Sequence, residues 1–139
     1  MKKIYLLLSA IYICFAGPPG PLATFVVPRD LEEEWTGCEF QEVLIALTDV
    51  DGVNPATILF EFDGELITWP DTRLSIEDDT LLIFIPASPL TNNTLYEYTL
   101  HAADDNDGYP LQSSPVSNSF STDFDMPYFF PDTRFPIQQ

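Results

Sequence analysis

Residues 43–64 constrain this chain more than any other stretch. Val43, Ile45 and Leu47 share one parity, and after a gap Ile58, Phe60 and Phe62 do the same against Leu59, Glu61 and Asp63. Successive side chains leave opposite faces of a strand, so a period of two gives each run one apolar face. Between the runs lie Asp49, Asp51, Gly52, Asn54 and Pro55. Asp and Asn bond their own backbone, Gly accepts positive φ, and Pro donates nothing to a ladder. The stretch therefore predicts two strands joined by an acidic loop.

The same pattern recurs along the chain. Residues 22–27, closed by Pro28, read as a first edge strand, and residues 65–69 follow the Asp63-Gly64 hairpin turn. Residues 80–85 make a strand after the Asp78-Asp79 turn, with Leu82 and Phe84 inward. In residues 95–103, Tyr96, Tyr98, Leu100 and Ala102 fall on the inner face, with Glu97, Thr99, His101 and Ala103 outside. His101 is thus expected to be a solvated strand residue. The last strand covers 116–122, with Val116, Asn118 and Phe120 inward and Asn118 the weak member. About seven short strands at turn spacings of roughly 8 to 12 residues, with no helical segment, predict an all-β antiparallel β-sandwich. A barrel is the alternative. No connection suits the crossover helix of a parallel sheet. The expected core is Ile45, Leu47, Ile58, Phe60, Phe62, Leu82, Phe84, Tyr96, Tyr98, Leu100 and Phe120.

The N-terminus has Lys2 and Lys3, an apolar run over 4–15 too short to span a bilayer, and Cys14-Phe15-Ala16 as a small-x-small site. Residues 1–16 therefore read as a secretory signal peptide. Cys14 also invites a lipoprotein reading, but Tyr12 and Ile13 stand where that motif has small residues. The Pro/Gly-rich 17–21 reads as a linker. Removing 16 of 139 residues leaves 123, in which Arg29, Arg73 and Arg134 face 22 carboxylates for a formal charge of −19. Such a surface repels nucleic acid and anionic membrane and suits multivalent cations. Cys38 is left alone, either a small buried hydrophobe at the start of a strand or a thiol awaiting an intermolecular partner. Asn92-Asn93-Thr94 matches the glycosylation acceptor pattern.

Several short motifs occur in order: Leu47-Thr48-Asp49, Gly52-Val53-Asn54-Pro55, Phe62-Asp63-Gly64, Leu82-x-Phe84-x-Pro86, Ala102-x-Asp104 and Ser119-Phe120-Ser121. Together they resemble bacterial extracellular immunoglobulin-like repeats, which occur in tandem in large secreted or surface-anchored proteins. Thr94-x-Tyr96-x-Tyr98-x-Leu100-x-Ala102 is similar to the fibronectin type III signature, in which the Tyr96 hydroxyl would tie the strand to the preceding connection. The resemblance covers 22–125 and implies a secreted or cell-surface, non-catalytic module. Such a module serves as spacer or adhesion domain, with other proteins or neighbouring repeats as partners. Repeats with a cysteine near Cys38 often carry a second close to the last strand, where this chain reads Val116-Ser117-Asn118-Ser119. Residues 126–139 are a tail or the start of a second repeat, since 127–134 echoes 21–30 at an offset of 106 residues, Pro21 to Pro127.

In an immunoglobulin-like arrangement, the loop with Asp49 and Asp51 and the loop with Asp104, Asn106 and Asp107 share one pole. These five residues are the expected calcium ligands, because calcium takes six to eight oxygens and Asp, Asn and carbonyl groups are its usual donors. Ordinary Asx turns on an acidic surface explain the same residues without a metal. Asp123 and Asp125 are placed at the opposite pole, from which they would complete the loop site of the next repeat in a head-to-tail array. The chain has no nucleophile elbow, Gly-rich phosphate loop or metalloprotease His pair, so it is not expected to be an enzyme. The rival reading is a carbohydrate-binding sandwich that stacks glycans on Trp35, Trp69 and Tyr109.

Overall fold

The computed structural model describes residues 19–28 and 34–125. The expected signal peptide over 1–16, the start of the expected linker, Arg29, and residues 126–139 with Arg134 lie outside the described residues. The strands are β1 (Leu22–Val27), β2 (Trp35–Thr36), β3 (Val43–Thr48), β4 (Leu59–Phe62), β5 (Glu65–Thr68), β6 (Leu74–Glu77), β7 (Leu81–Phe84), β8 (Leu95–Ala102) and β9 (Val116–Thr122). They form a four-stranded sheet in the order β1-β3-β7-β6 and a five-stranded sheet in the order β2-β9-β8-β4-β5. The protein is all-β.

Three features depart from the expected antiparallel seven strands. β2 is an extra strand and pairs parallel to β9, so the second sheet is mixed. Its two residues are too few to show a period. β6 is the other addition, a four-residue partner of β7 whose Leu74 and Ile76 give a single repeat of the alternation. Pro55–Thr57 forms a 3-10 turn where no helical segment was expected; Asn54 Oδ1 accepts from Ala56 N at 3.1 Å and caps it.

The two sheets face each other across one core, and all eleven residues predicted for it are buried. Register carries this pattern between strands: Val43 pairs with Phe84 and Ile45 with Leu82 in one sheet, Phe60 with Leu100 and Phe62 with Tyr98 in the other. Across the gap Phe84 meets Phe62 at 4.7 Å and Phe60 at 5.1 Å between ring centroids. The tight turns use residues that tolerate positive φ: Asp63 (49°) with Gly64 (80°), and Asp78 (51°) with Asp79 (56°). Pro19 to Pro21 has no regular structure, yet Gly20 and Pro21 are buried, and Gln112 donates to the Gly20 carbonyl.

The Tyr96 hydroxyl accepts from Thr91 N at 2.8 Å, tying β8 to the connection before it. Tyr96→Phe removes the acceptor and keeps the ring in the core. It is expected to lower stability by about 1 kcal/mol, read as a reduced urea midpoint at unchanged slope. Asn118 is half-buried, and its amide donates to the Tyr98 hydroxyl at 3.0 Å. Cys38 corrects the burial expectation: it is exposed, outside any strand, beside the two-residue β2 rather than at the start of a core strand.

The inner face of β8 also changes partway along. Leu59 to Phe60 on β4 is one step, but their partners Ala102 and Leu100 are two steps apart, so β8 bulges there. Beyond the bulge the parity inverts: Ala103 is fully buried and Asp105 is 1 % exposed, while Ala102 is half-buried. The alternation had put Ala102 inside and Ala103 outside, because a simple period cannot anticipate an inserted residue.

Candidate metal centre at the loop pole

Three connections meet where β3 ends. Val53 bridges Asp105, Asn54 N donates to Asp104 O at 2.9 Å, Asn106 N donates to Gly52 O at 3.2 Å, and Val53 N donates to Asp79 O at 3.2 Å. Asn106 Nδ2 donates to Asp51 O at 2.6 Å, and Thr57 Oγ1 accepts from Asp104 N at 2.8 Å. The β3–β4 loop, the turn before β7 and the connection after β8 are therefore stitched together mainly through backbone groups. Their side chains are held in fixed relation.

Asp49, Asp51 and Asp105 each present a carboxylate oxygen, and these oxygens lie within 4.8 Å of one another. The three differ in setting. Asp49 Oδ1 accepts from Asp51 N at 2.8 Å and shapes its loop as an Asx turn. Asp51 is exposed; lost hydration, then repulsion from Asp107, Asp49 and Asp105, raises its carboxyl above the ordinary range. Asp105 Oδ1 accepts from Asp107 N at 2.9 Å and Tyr109 N at 2.8 Å, so its own loop consumes that oxygen. Asp105 Oδ2 is buried and has no hydrogen-bond partner. An orphaned carboxylate oxygen beside two further carboxylates is unfavourable unless something positive joins them.

Of the five residues named from the sequence, Asp49 and Asp51 belong to this cluster. Asp104 and Asp107 are not members. Asn106 contributes through its side-chain amide, which braces the Asp51 carbonyl. The buried member, Asp105, is absent from the expected ligand set because nothing in the run Asp104-Asp105-Asn106-Asp107 marks which residue turns inward. The bulge in β8 decides that.

The other candidates sit apart. His101 Nε2 lies 2.7 Å from Glu61 Oε2 on the outer face of the second sheet, a cross-strand pair rather than a solitary ring. Trp35 is exposed on β2, Trp69 packs against the core, and Tyr109 lies in the acidic loop beside Asp105, so these three aromatics share no single platform. Asn92 of the acceptor pattern is engaged at the far pole: its Oδ1 accepts from Phe124 N at 2.7 Å and its Nδ2 donates to Asp125 Oδ2 at 3.2 Å.

No family model and no curated protein matches this chain. Its function has to be argued from the fold and this pole.

Proposed function

We propose that the chain is a secreted or cell-surface immunoglobulin-like module that acts without catalysis, as a spacer or adhesion domain. One observation carries the reading: the chain enters and leaves at opposite poles. Leu22, at the start of β1, pairs with Thr48, where β3 runs out into the acidic loops, whereas β9 ends beside the start of β8, with Leu95 opposite Ser121. A module threaded from end to end transmits load and extends an array by its own length. The strand orders support the immunoglobulin-like part, since β1-β3-β7-β6 and β9-β8-β4 follow the A-B-E-D and G-F-C orders of that fold. The Tyr96 bond to Thr91 supports the tyrosine-corner role, and the apolar leader over 1–16 supports export.

Single-molecule pulling tests the load-bearing role. Force applied to the ends of the domain loads the β1–β3 and β8–β9 ladders in shear, so many hydrogen bonds must fail together. Force applied between Leu59 and Thr68, the open end of the β4–β5 hairpin, opens bonds one by one. The expected result is a clearly higher unfolding force in the end-to-end geometry; equal forces in the two geometries would count against a spacer. A glycan array distinguishes the rival reading, for which selective binding abolished by Trp69→Ala or Tyr109→Ala is the required result.

A further inference from the structure

We propose that Asp49, Asp51 and Asp105 form a binding site for a calcium-sized divalent cation that clamps the loop after β3 to the loop after β8. Two independent observations converge on it. The first is geometric: carboxylate oxygens from two sequence-distant loops lie within 4.8 Å of one another, about the span of two oxygens facing each other across a calcium ion at roughly 2.4 Å from each. The second is the state of Asp105. The residue is 1 % exposed, Oδ1 is satisfied by the backbone of its own loop, and Oδ2 is buried without a donor.

A turn-forming role for Asp105 accounts for Oδ1 and leaves Oδ2 unexplained, because Asn would supply the same acceptor without burying a charge. A proton would neutralise one oxygen of the three carboxylates. A divalent cation takes an oxygen from each and completes its shell with water or loop carbonyls, which suits the six to eight oxygens calcium requires. The pole is also held in place beforehand. The Val53–Asp105 bridge and the Asn106 bonds to Gly52 and Asp51 fix the two loops against each other, so little ordering remains to oppose binding. Exposed Asp51 leaves a route in from solvent. The site stands whether or not the module serves as a spacer, since it uses only residues of this one chain.

Calorimetric titration of the purified chain with calcium chloride, paired with thermal melts, tests the site. Dissociation constants of about 10⁻⁴ to 10⁻³ M are expected, the range of extracellular modules. At calcium 100 times that constant, the folded-to-unfolded ratio should rise about 100-fold and the melting temperature by several degrees. Asp105→Asn retains the acceptor for Asp107 N and Tyr109 N, so it should melt at or above the wild-type temperature without calcium and lose the calcium response. Asp51→Asn, at an exposed position, should lose the response as well. Asp123→Asn, at the opposite pole with the same charge change, should keep it. A melting gain no larger than sodium chloride gives at equal ionic strength overturns the proposal. So does an undiminished calcium response in both Asp105→Asn and Asp51→Asn, or an equal response to magnesium, which demands shorter bonds and near-ideal octahedral geometry.

Discussion

Phe84→Ala is expected to cost about 3–5 kcal/mol, the range for removing a buried aromatic side chain and leaving a cavity. Phe84 stands on β7 and reaches across to Phe60 and Phe62 of β4, with ring centroids 5.1 and 4.7 Å away. Its loss therefore removes contact between the two sheets as well as contact within one. The surrounding rings cannot collapse easily into the gap, because Phe62 also stacks on Tyr96 at 5.5 Å and Phe60 leans on Tyr98. A domain of this size has only about 5–15 kcal/mol of net stability, so this single change approaches unfolding. The measurement is urea denaturation followed by tryptophan fluorescence, with the neighbouring Ile85→Ala as reference. Ile85 is exposed, and its truncation should stay within about 0.5 kcal/mol. Similar midpoints for the two variants would mean that Phe84 does not hold the sheets together.

The core was legible in the sequence because burial on one face imposes parity, and parity survives without knowledge of partners. Ile45, Leu47, Phe60, Phe62, Leu82, Phe84, Tyr96, Tyr98 and Leu100 all follow it. What escaped was set by partners. β2 exists because Trp35 and Thr36 lie alongside Ser121 and Thr122, and Ser121 N donates to Glu34 O at 2.9 Å, a pairing with no local signature. β6 depends on a hairpin with β7 and shows only two apolar residues of its own. Leu90 and Leu111, buried in connections, belong to no alternating run at all.

The pole was half legible for the same reason. Asp49 and Asp51 flank Val50 in a loop whose Gly52 adopts φ of 74°, so Asp and Gly in that order announce a turn with carboxylates at its tip. On the other loop the sequence offers Asp104, Asp105 and Asp107 without ranking them. The bulge opposite Leu59 and Phe60 ranks them by inverting the parity of β8, which sends Ala103 and then Asp105 inward. A two-for-one mismatch of this kind is visible only once both strands are in register.

Acid should weaken the fold through Arg73, the only lysine or arginine among the described residues. Arg73 reaches from just before β6 to Glu65 at the start of β5 and so clasps the two sheets. Nη1 and Nη2 donate to Glu65 at 2.9 Å each, Nε donates to Asp71 at 3.0 Å and Nη2 to Asp71 at 2.9 Å. Two carboxylates thus share one planar donor fork, the geometry in which charge-assisted bonds are strongest. Hydrogen bonds from the Arg73 side chain, then from its backbone N–H, hold the Asp71 carboxyl down to about 2, and the same guanidinium lowers Glu65. A carboxyl whose value falls on folding contributes stability that is fully present above its unfolded value, near 3.9, and is lost as pH falls through its folded one. The window for Asp71 therefore lies between about pH 4 and pH 2. Because its side chain remains 27 % exposed and salt screens the pair, the Asp71 share is about 1 kcal/mol rather than what the full shift would imply. Arg73→Met keeps much of the aliphatic stem and removes the fork. Urea midpoints of wild type and Arg73→Met should differ at pH 6, converge as pH falls from 4 towards 2, and draw closer in high salt. A difference that persists unchanged at pH 2 would mean that Arg73 contributes by packing rather than through its two carboxylates.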